Sequence, residues 1–160
     1  DDTLFKSLLG KAAPDFTLEA IDGRKIALKE MRGKNVVIFF TEGAMCYPSC
    51  WDQMVSMGKE QKFNDDKTVT LSIVVDPKND WADAVKKMPG LSSSTVLLDT
   101  DKKVTSTYGV LTLNSSMHRG QFPGHTYIIV DKDGIVRYLL DEADMRIRNK
   151  ELLKELAKLS

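Results

Sequence analysis

The two cysteines of the chain, Cys46 and Cys50, lie four positions apart where a predicted strand passes into a predicted helix. Before them, Asn35 to Thr41 spell N-V-V-I-F-F-T, a run of β-branched and aromatic residues typical of a strand buried on both faces. After the first cysteine, Pro48 suits the first position of a helix, where its missing N–H is not needed. The pattern therefore places Cys46 just before a helix N-terminus and Cys50 in its first turn.

A cysteine pair at this place is suited to thiol chemistry. The unpaired N–H groups and the dipole at a helix N-terminus stabilise a thiolate. One helical turn brings residues four apart to roughly 5–6 Å, which allows a disulfide or a shared soft metal ion. The alternative is two small buried hydrophobic residues, but packing alone gives no reason for both to occur at this turn. A purely structural disulfide would close too short a loop to restrict the unfolded chain much.

The two sulfurs are expected to differ in exposure. Trp51, Met54 and Met57 follow at helical spacing and form an apolar stripe that we assign to the core. Cys50 adjoins this stripe, so we expect it to be the more buried thiol and Cys46 the more open one.

Length and charge exclude several classes of protein. A chain of 160 residues suits one domain, which we expect to span 1–160. Its 23 acidic and 23 basic residues balance, which indicates neither a nucleic acid nor an anionic membrane as a partner. No apolar run approaches the length of a membrane span, and no signal segment precedes Asp1. An N-terminal signal or anchor that has been removed stays open as an expectation.

The remaining patterns predict an α/β fold. Alternating residues on both sides of Asp22-Gly23 predict an N-terminal hairpin, and the polar segment 111–124 an exposed loop. Strands and helices that interchange along the chain predict a central mixed sheet flanked by helices. Further strands are predicted at 68–75, 95–98, 125–130 and 135–140, and helices at 48–63, 80–88, 102–108 and 149–159, with Asp80 as a cap.

Several strings resemble the thioredoxin-fold redoxins, a group that contains the AhpC/TSA peroxiredoxins, the TlpA/ResA-like thiol-disulfide oxidoreductases and the Sco copper chaperones. The strings are A-P-D-F-T-L, G-K-N-V-V-I-F-F, Tyr108-Gly109-Val110 and H-T-Y-I-I-V-D-K-D-G. The resemblance covers the chain from about Gly10 onward. It implies a thioredoxin-like fold with an N-terminal β-hairpin extension and an extracytoplasmic setting, periplasmic or membrane-anchored.

Two of these subfamilies differ from the chain at supporting positions. Peroxiredoxins carry Thr or Ser three residues before the reactive Cys and Arg at the late strand, whereas this chain has Gly43 or Tyr47 and His125. A thiol peroxidase is thus the third alternative. TlpA/ResA-like proteins carry W-C-x-x-C and a cis-proline at the late strand, whereas here the cysteine spacing is one residue longer, His125 takes that place and Pro123 precedes it.

The Sco proteins share a different pattern with the chain. They have C-x-x-x-C and a distant His before a strand, and these three side chains bind copper. Cys46, Cys50 and His125 match this set in type and order, although Tyr47 and Gly124 replace the usual Pro and Asp. The resemblance implies copper, delivered to a copper-accepting protein, as the alternative to thiol exchange.

The favoured hypothesis is thiol-disulfide exchange with a protein dithiol or disulfide, for which no cofactor is required. Cys46 is the attacking thiolate and Cys50 resolves the mixed disulfide. His125 is expected to face the pair and to add positive charge or move a proton. Glu42 is the other candidate for moving the proton, although an acid in a turn is usually solvated. His118, beside Met117, is expected to be an ordinary surface residue.

Overall fold

In the computed structural model, residues 1–144 and 146–159 are described, and within them seven strands form one sheet. β3 and β6 have the bounds that the sequence predicts, and β4, β5 and β7 differ from their predicted bounds by one residue at one or both ends. The strands are β1 (Thr17–Ala20), β2 (Lys25–Ala27), β3 (Asn35–Thr41), β4 (Thr68–Val74), β5 (Val96–Leu98), β6 (His125–Val130) and β7 (Val136–Asp141).

The sheet is mixed, with the strand order β2-β1-β5-β4-β3-β6-β7. β4 is parallel to β3 and β5, while all other neighbours are antiparallel, including the N-terminal hairpin β1–β2. The mixed sheet and the hairpin extension confirm the predicted fold class. Because β3 and β4 run in the same direction, the residues that follow both strands meet at one edge of the sheet.

The helices cover both faces of the sheet. Cores of buried side chains place α1 and α4 on one face, and α2, α3 and α5 on the other. The helices are α1 (Thr3–Ser7), α2 (Ser49–Lys59), α3 (Lys78–Lys87), α4 (Lys103–Thr107) and α5 (Asn149–Ala157). Among the helices of the described ranges, none has the length and apolarity to cross a bilayer.

Two predicted helix boundaries are wrong. α2 ends at Lys59, and Gln61–Phe63 is a separate 3-10 turn rather than its continuation. α3 begins at Lys78, so Asp80 lies in its first turn and Pro77 occupies the N-cap position. The carboxylate of Asp80 then complements the helix dipole without serving as the cap.

The segment 111–124 is only partly the exposed loop that its polar residues predict. Ser115 and Ser116 are buried, because both hydroxyls form hydrogen bonds inside the protein. Ser115 contacts Asp141 at the end of β7, and its Oγ accepts a hydrogen bond from the N–H of His125 at 2.9 Å. The loop is therefore attached to the start of β6, where a candidate site residue lies.

Candidate active site

The turn between β3 and α2 holds the two cysteines in contact. β3 ends at Thr41, Gly43–Met45 form a 3-10 turn, and Cys46 follows that turn. Cys46 and Cys50 form a disulfide with an S–S distance of 2.13 Å and a Cα–Cα distance of 5.3 Å. The backbone N–H of Cys50 also donates to the carbonyl of Cys46 at 2.9 Å. The structure thus brings together the two cysteines that the sequence singles out.

The helix start differs by one residue from the prediction. Pro48 is the N-cap rather than the first helical residue, and Cys50 is the second residue of α2. Among the described residues, the peptide bond before Pro48 is cis and the one before Pro123 is not. Cys50 nevertheless lies in the first helical turn, as predicted, where the helix dipole favours a thiolate.

The two sulfur-bearing residues differ in exposure as the apolar stripe predicts. Cys50 has no exposed surface and belongs to the core formed with Trp51, Met54 and Met57. Cys46 is partly exposed and lies between two exposed side chains, Met45 and Tyr47. A partner molecule therefore reaches the disulfide from the Cys46 side.

His125 lies against the buried sulfur. It is the first residue of β6 and pairs with Thr41 of β3, so the sheet register places it beside the cysteine turn. Its Nδ1 is 3.5 Å from Cys50 Sγ, and its ring contacts that of Phe39 edge-to-face with centroids 4.6 Å apart. The structure brings His125 to the cysteine pair, and its part in the chemistry stays a prediction.

Burial keeps the His125 ring neutral near pH 7. Desolvation lowers the pKa of His125 to about 4, and this outweighs Glu142 and a hydrogen bond to the Arg146 backbone, which both favour the charged form. Arg148, which forms an ion pair with Glu142, lowers the pKa further. The expectation that His125 adds positive charge is therefore not met while the disulfide is closed.

Tyr127 is a site residue that sequence reasoning missed. Its hydroxyl is 2.7 Å from Nε2 of His125, and its ring stacks on Phe39 with centroids 4.7 Å apart. Side chains two apart on a strand share one face, so the alternation along β6 was the signal that pairs Tyr127 with His125. Burial raises the pKa of Tyr127, which keeps the hydroxyl protonated.

Glu42 is not the solvated turn residue that its position suggests. It is only 5% exposed, and its N–H donates to the carbonyl of Gly124. Its carboxylate lies 2.9 Å from Nδ1 of His118, whose side chain is half exposed. His118 is thus a partner of a buried acid rather than an isolated surface residue. A proton-transfer role for Glu42 stays a prediction.

Asp76, also missed from the sequence, holds the cysteine turn from behind. It follows β4, which is parallel to β3, so its carboxylate lies at the edge where β3 ends. Its Oδ1 accepts from the N–H of Ala44 at 3.1 Å and from Nε1 of Trp81 at 3.2 Å. Burial raises the pKa of Asp76. The sequence signal was an acid at the end of a neighbouring strand.

The metal hypothesis receives no support from the grouping of side chains. Within residues 1–144 and 146–159, no three His, Cys, Asp or Glu side chains are arranged to hold a metal ion. The contact between His125 and Cys50 places two of the three predicted copper ligands together while the sulfurs are bonded to each other. Thiol exchange by redoxins needs no cofactor.

Curated proteins similar to the chain include thiol-disulfide oxidoreductases and peroxiredoxins. The chain is 30% identical over 139 residues to the thiol-disulfide oxidoreductase ResA of Bacillus anthracis, covering 86% of this chain and 72% of ResA. It is 30% identical over 131 residues to peroxiredoxin Q of Oryza sativa subsp. japonica, covering 81% of this chain. The chain spans only 57% of the length of that peroxiredoxin.

Solved structures share the fold. The reduced 2-Cys peroxiredoxin of Plasmodium vivax superposes with a TM-score of 0.79 at 24% identity, covering 94% of this chain and 95% of the other. AhpC of Mycobacterium tuberculosis gives 0.78 at 20% identity, covering 94% and 92%. The model of the AhpC/TSA family matches residues 9–139. This match spans most of the chain, including both cysteines and His125, and shows that the chain belongs to the AhpC/TSA family of thioredoxin-fold redoxins.

Proposed function

We propose that the chain is a thiol-disulfide oxidoreductase of the TlpA/ResA type that acts on a protein dithiol or disulfide. The observation that carries this proposal is the Cys46–Cys50 disulfide at the start of α2, with one sulfur partly exposed and the other buried. The identity to ResA supports the same activity. An extracytoplasmic setting is part of the proposal and rests on the resemblance alone.

The exposure of the sulfurs sets the order of the exchange. A substrate thiolate attacks Cys46 Sγ, the bond to Cys50 breaks, and Cys50 leaves with the electron pair as a thiolate. The second substrate thiolate then attacks the substrate sulfur of the mixed disulfide and releases Cys46. The substrate dithiol is oxidised, the cysteine pair is reduced, and the two substrate protons pass to the thiols or to water. The reverse sequence reduces a substrate disulfide.

A thiol peroxidase is the second candidate, because peroxiredoxins are among the relatives and the structural neighbours. Two residues count against it. Gly43 provides no hydroxyl three positions before Cys46, and His125 is neutral where an Arg would polarise the peroxide. A peroxidase would need other donors at this turn.

Copper binding through Cys46, Cys50 and His125 is the third candidate. It rests on the match to the Sco pattern, and it requires the reduced pair because a bonded sulfur is not a thiolate ligand. Anaerobic titration of the reduced protein with Cu(I) against a competing chelator, repeated on His125→Ala, tests this candidate. One-to-one binding that weakens strongly in the variant supports it, and weak or unchanged binding removes it.

The main test compares three proteins in two assays. Wild type, Cys46→Ser and Cys50→Ser are assayed for reduction of a protein disulfide with dithiothreitol as reductant, and for consumption of hydrogen peroxide. We expect only the wild type to reduce the protein disulfide. Cys50→Ser should instead accumulate a mixed disulfide between Cys46 and the substrate, because no second thiol is present to resolve it. Peroxide turnover retained by Cys50→Ser would instead establish the peroxidase.

A further inference from the structure

Three buried side chains, those of Tyr127, His125 and Cys50, form a chain of contacts that ends at the sulfur expected to leave the disulfide. Cys50 Sγ is 3.5 Å from Nδ1 of His125, and Nε2 on the other side of the ring is 2.7 Å from the hydroxyl of Tyr127. None of these three residues has exposed surface. Bulk water therefore does not compete for either ring nitrogen.

We propose that Tyr127 is a positioning residue of the redox site: its hydroxyl donates to Nε2 of His125 and thereby leaves the ring proton on Nδ1, facing Cys50. This inference rests on the proposed function, in which Cys50 is the sulfur that leaves the disulfide. Tyr127 itself touches neither the disulfide nor a substrate and acts through the imidazole.

The proposed tautomer gives both contacts of the ring a donor and an acceptor while the disulfide is closed. Cys50 has no proton in the disulfide, so an Nδ1–Sγ hydrogen bond requires Nδ1–H as the donor. Nε2 of the neutral ring then carries a lone pair and accepts from Tyr127, whose hydroxyl burial keeps protonated. The stack of Tyr127 on Phe39, with ring planes 10° apart, fixes the direction of that hydroxyl.

The groups around the ring modulate its charge. Glu142, whose N–H donates to the carbonyl of His125, and the carbonyl of Arg146, which accepts a hydrogen bond from the ring, favour a protonated ring. Arg148 and burial oppose it, and burial is the largest effect. The ring is therefore neutral near pH 7, so the nitrogen that holds its one proton decides whether Cys50 faces an N–H donor or a lone pair.

The placement of the proton matters when the disulfide opens. Attack on Cys46 leaves the bonding electron pair on Cys50, and a buried thiolate without a hydrogen-bond donor is costly. The Nδ1–H group donates to this thiolate, together with the N-terminus of α2. A leaving thiol with a lower pKa leaves faster, so the loss of the donor slows the opening of the disulfide.

The first experiment measures the tautomer directly. Long-range 1H–15N NMR correlation distinguishes Nδ1–H from Nε2–H in a histidine ring, and the chain has only two histidines to assign. We expect His125 of the oxidised wild type as the Nδ1–H tautomer, and a shift toward Nε2–H in Tyr127→Phe. An Nε2–H tautomer in the wild type overturns the proposal, even if the variant does not fold.

The second experiment measures the rate of disulfide reduction by dithiothreitol from pH 6 to 9. We expect Tyr127→Phe to react roughly ten to one hundred and fifty times more slowly, because the loss of one hydrogen bond to a charged group has this size. The matched control is Tyr108→Phe, a fully buried tyrosine whose hydroxyl donates to the carbonyl of Pro14 on the opposite face of the sheet.

The control separates positioning from general weakening. Both variants lose one buried tyrosine hydroxyl, and Tyr108→Phe is expected to react within about twofold of wild type. Equal rates in both variants overturn the proposal. Neither experiment needs the physiological substrate, so a failure of the proposed function, seen as no turnover of a protein disulfide, is distinguishable from a failure of this inference.

Discussion

The two faces of the sheet bury similar apolar side chains but different polar ones. Neighbouring residues of β3 point to opposite faces: Phe40 packs beside Tyr108, and Phe39 packs beside Tyr127. On the first face the hydroxyl of Tyr108 donates to the backbone carbonyl of Pro14. On the second face the hydroxyl of Tyr127 contacts the titratable ring of His125, which in turn contacts the sulfur of Cys50.

This difference separates stability from reactivity. Each buried tyrosine hydroxyl needs a partner, and a backbone carbonyl satisfies that need without further consequence. The partner of Tyr127 is His125, so satisfying the hydroxyl also fixes the proton of a group at the redox site. The faces should therefore respond alike to a change in packing and differently in the chemistry of the disulfide.

The largest effect is expected from truncating the two phenylalanines of β3. Phe39→Ala and Phe40→Ala each remove a fully buried ring, which costs about 3–5 kcal/mol in the free energy of unfolding. Only Phe39→Ala also frees the rings of His125 and Tyr127, so we expect only this variant to open its disulfide more slowly. Urea unfolding and the rate of reduction by dithiothreitol check both parts. Equal rates of disulfide reduction in the two variants would show that the two faces of the sheet do not differ in their effect on the disulfide.

A smaller effect is expected from pH. Because the folded pKa of His125 is about 4, the unfolded chain, near its ordinary 6.5, binds more protons between these values. The free energy of unfolding should then rise with pH from 4 to 6.5, by up to about 3 kcal/mol, and fall again on acidification.

The variant His125→Asn should lose this part of the pH dependence. His118→Asn is the comparison variant, because it removes the other histidine, whose ring pairs with Glu42, and so measures what that pair contributes to the slope. The measurement is urea unfolding of the oxidised proteins from pH 4 to 7. A slope that persists in His125→Asn would show that another group causes it.

Much of the fold follows from the sequence because the signals are local. The apolar run at 35–41 and the Asp22-Gly23 turn predict β3 and the hairpin directly. The four-residue spacing predicts that the cysteines are within reach of each other, and the apolar stripe ranks their exposure. These patterns involve residues a few positions apart, which is the range that periodicity covers.

The missed residues depend on the sheet register. Asp76 reaches the cysteine turn only because β4 lies beside β3, and Glu42 is buried only because the loop that carries His118 folds over it. Ser115 is buried because it contacts Asp141 at the end of β7. Contacts across 26 to 76 positions leave no periodic signal in one sequence. Tyr127 is the exception, since alternation along β6 would have found it.

A more modest effect is expected from a methyl group at the cysteine turn. Gly43 has a φ of +82°, and a Cβ there would clash with Oδ1 of Asp76. Gly43→Ala must therefore displace the turn or the buried carboxylate, and we expect a loss of about 2–3 kcal/mol together with an altered rate of reduction. The free energy of unfolding and the dithiothreitol rate measure this.

The matched control for the turn is Gly23→Ala in the β1–β2 hairpin. Gly23 has a similar φ of +94°, but a Cβ there meets nothing within 4 Å. The free energy of unfolding of Gly23→Ala should fall only by the conformational cost of a side chain at positive φ, about 1 kcal/mol, and its rate of disulfide reduction should not change. A similar loss in both variants would mean that Asp76 moves aside freely and does not hold the turn.

The smallest effect is expected where the 111–124 loop meets the site. Ser115→Ala leaves the buried N–H of His125 without its acceptor, which costs about 1–2 kcal/mol, while Asp141 keeps the hydroxyl of Thr126 at 2.8 Å. Ser116→Ala is the control, because it loses a comparable bond to the carbonyl of Phe122 within the loop.

Hydrogen exchange should show faster exchange at the His125 amide in Ser115→Ala only. Because the ring of His125 keeps its contacts with Cys50 and Tyr127, the rate of disulfide reduction should stay within about twofold of wild type. A larger change would mean that the backbone of β6, and not Tyr127, sets the position of the ring.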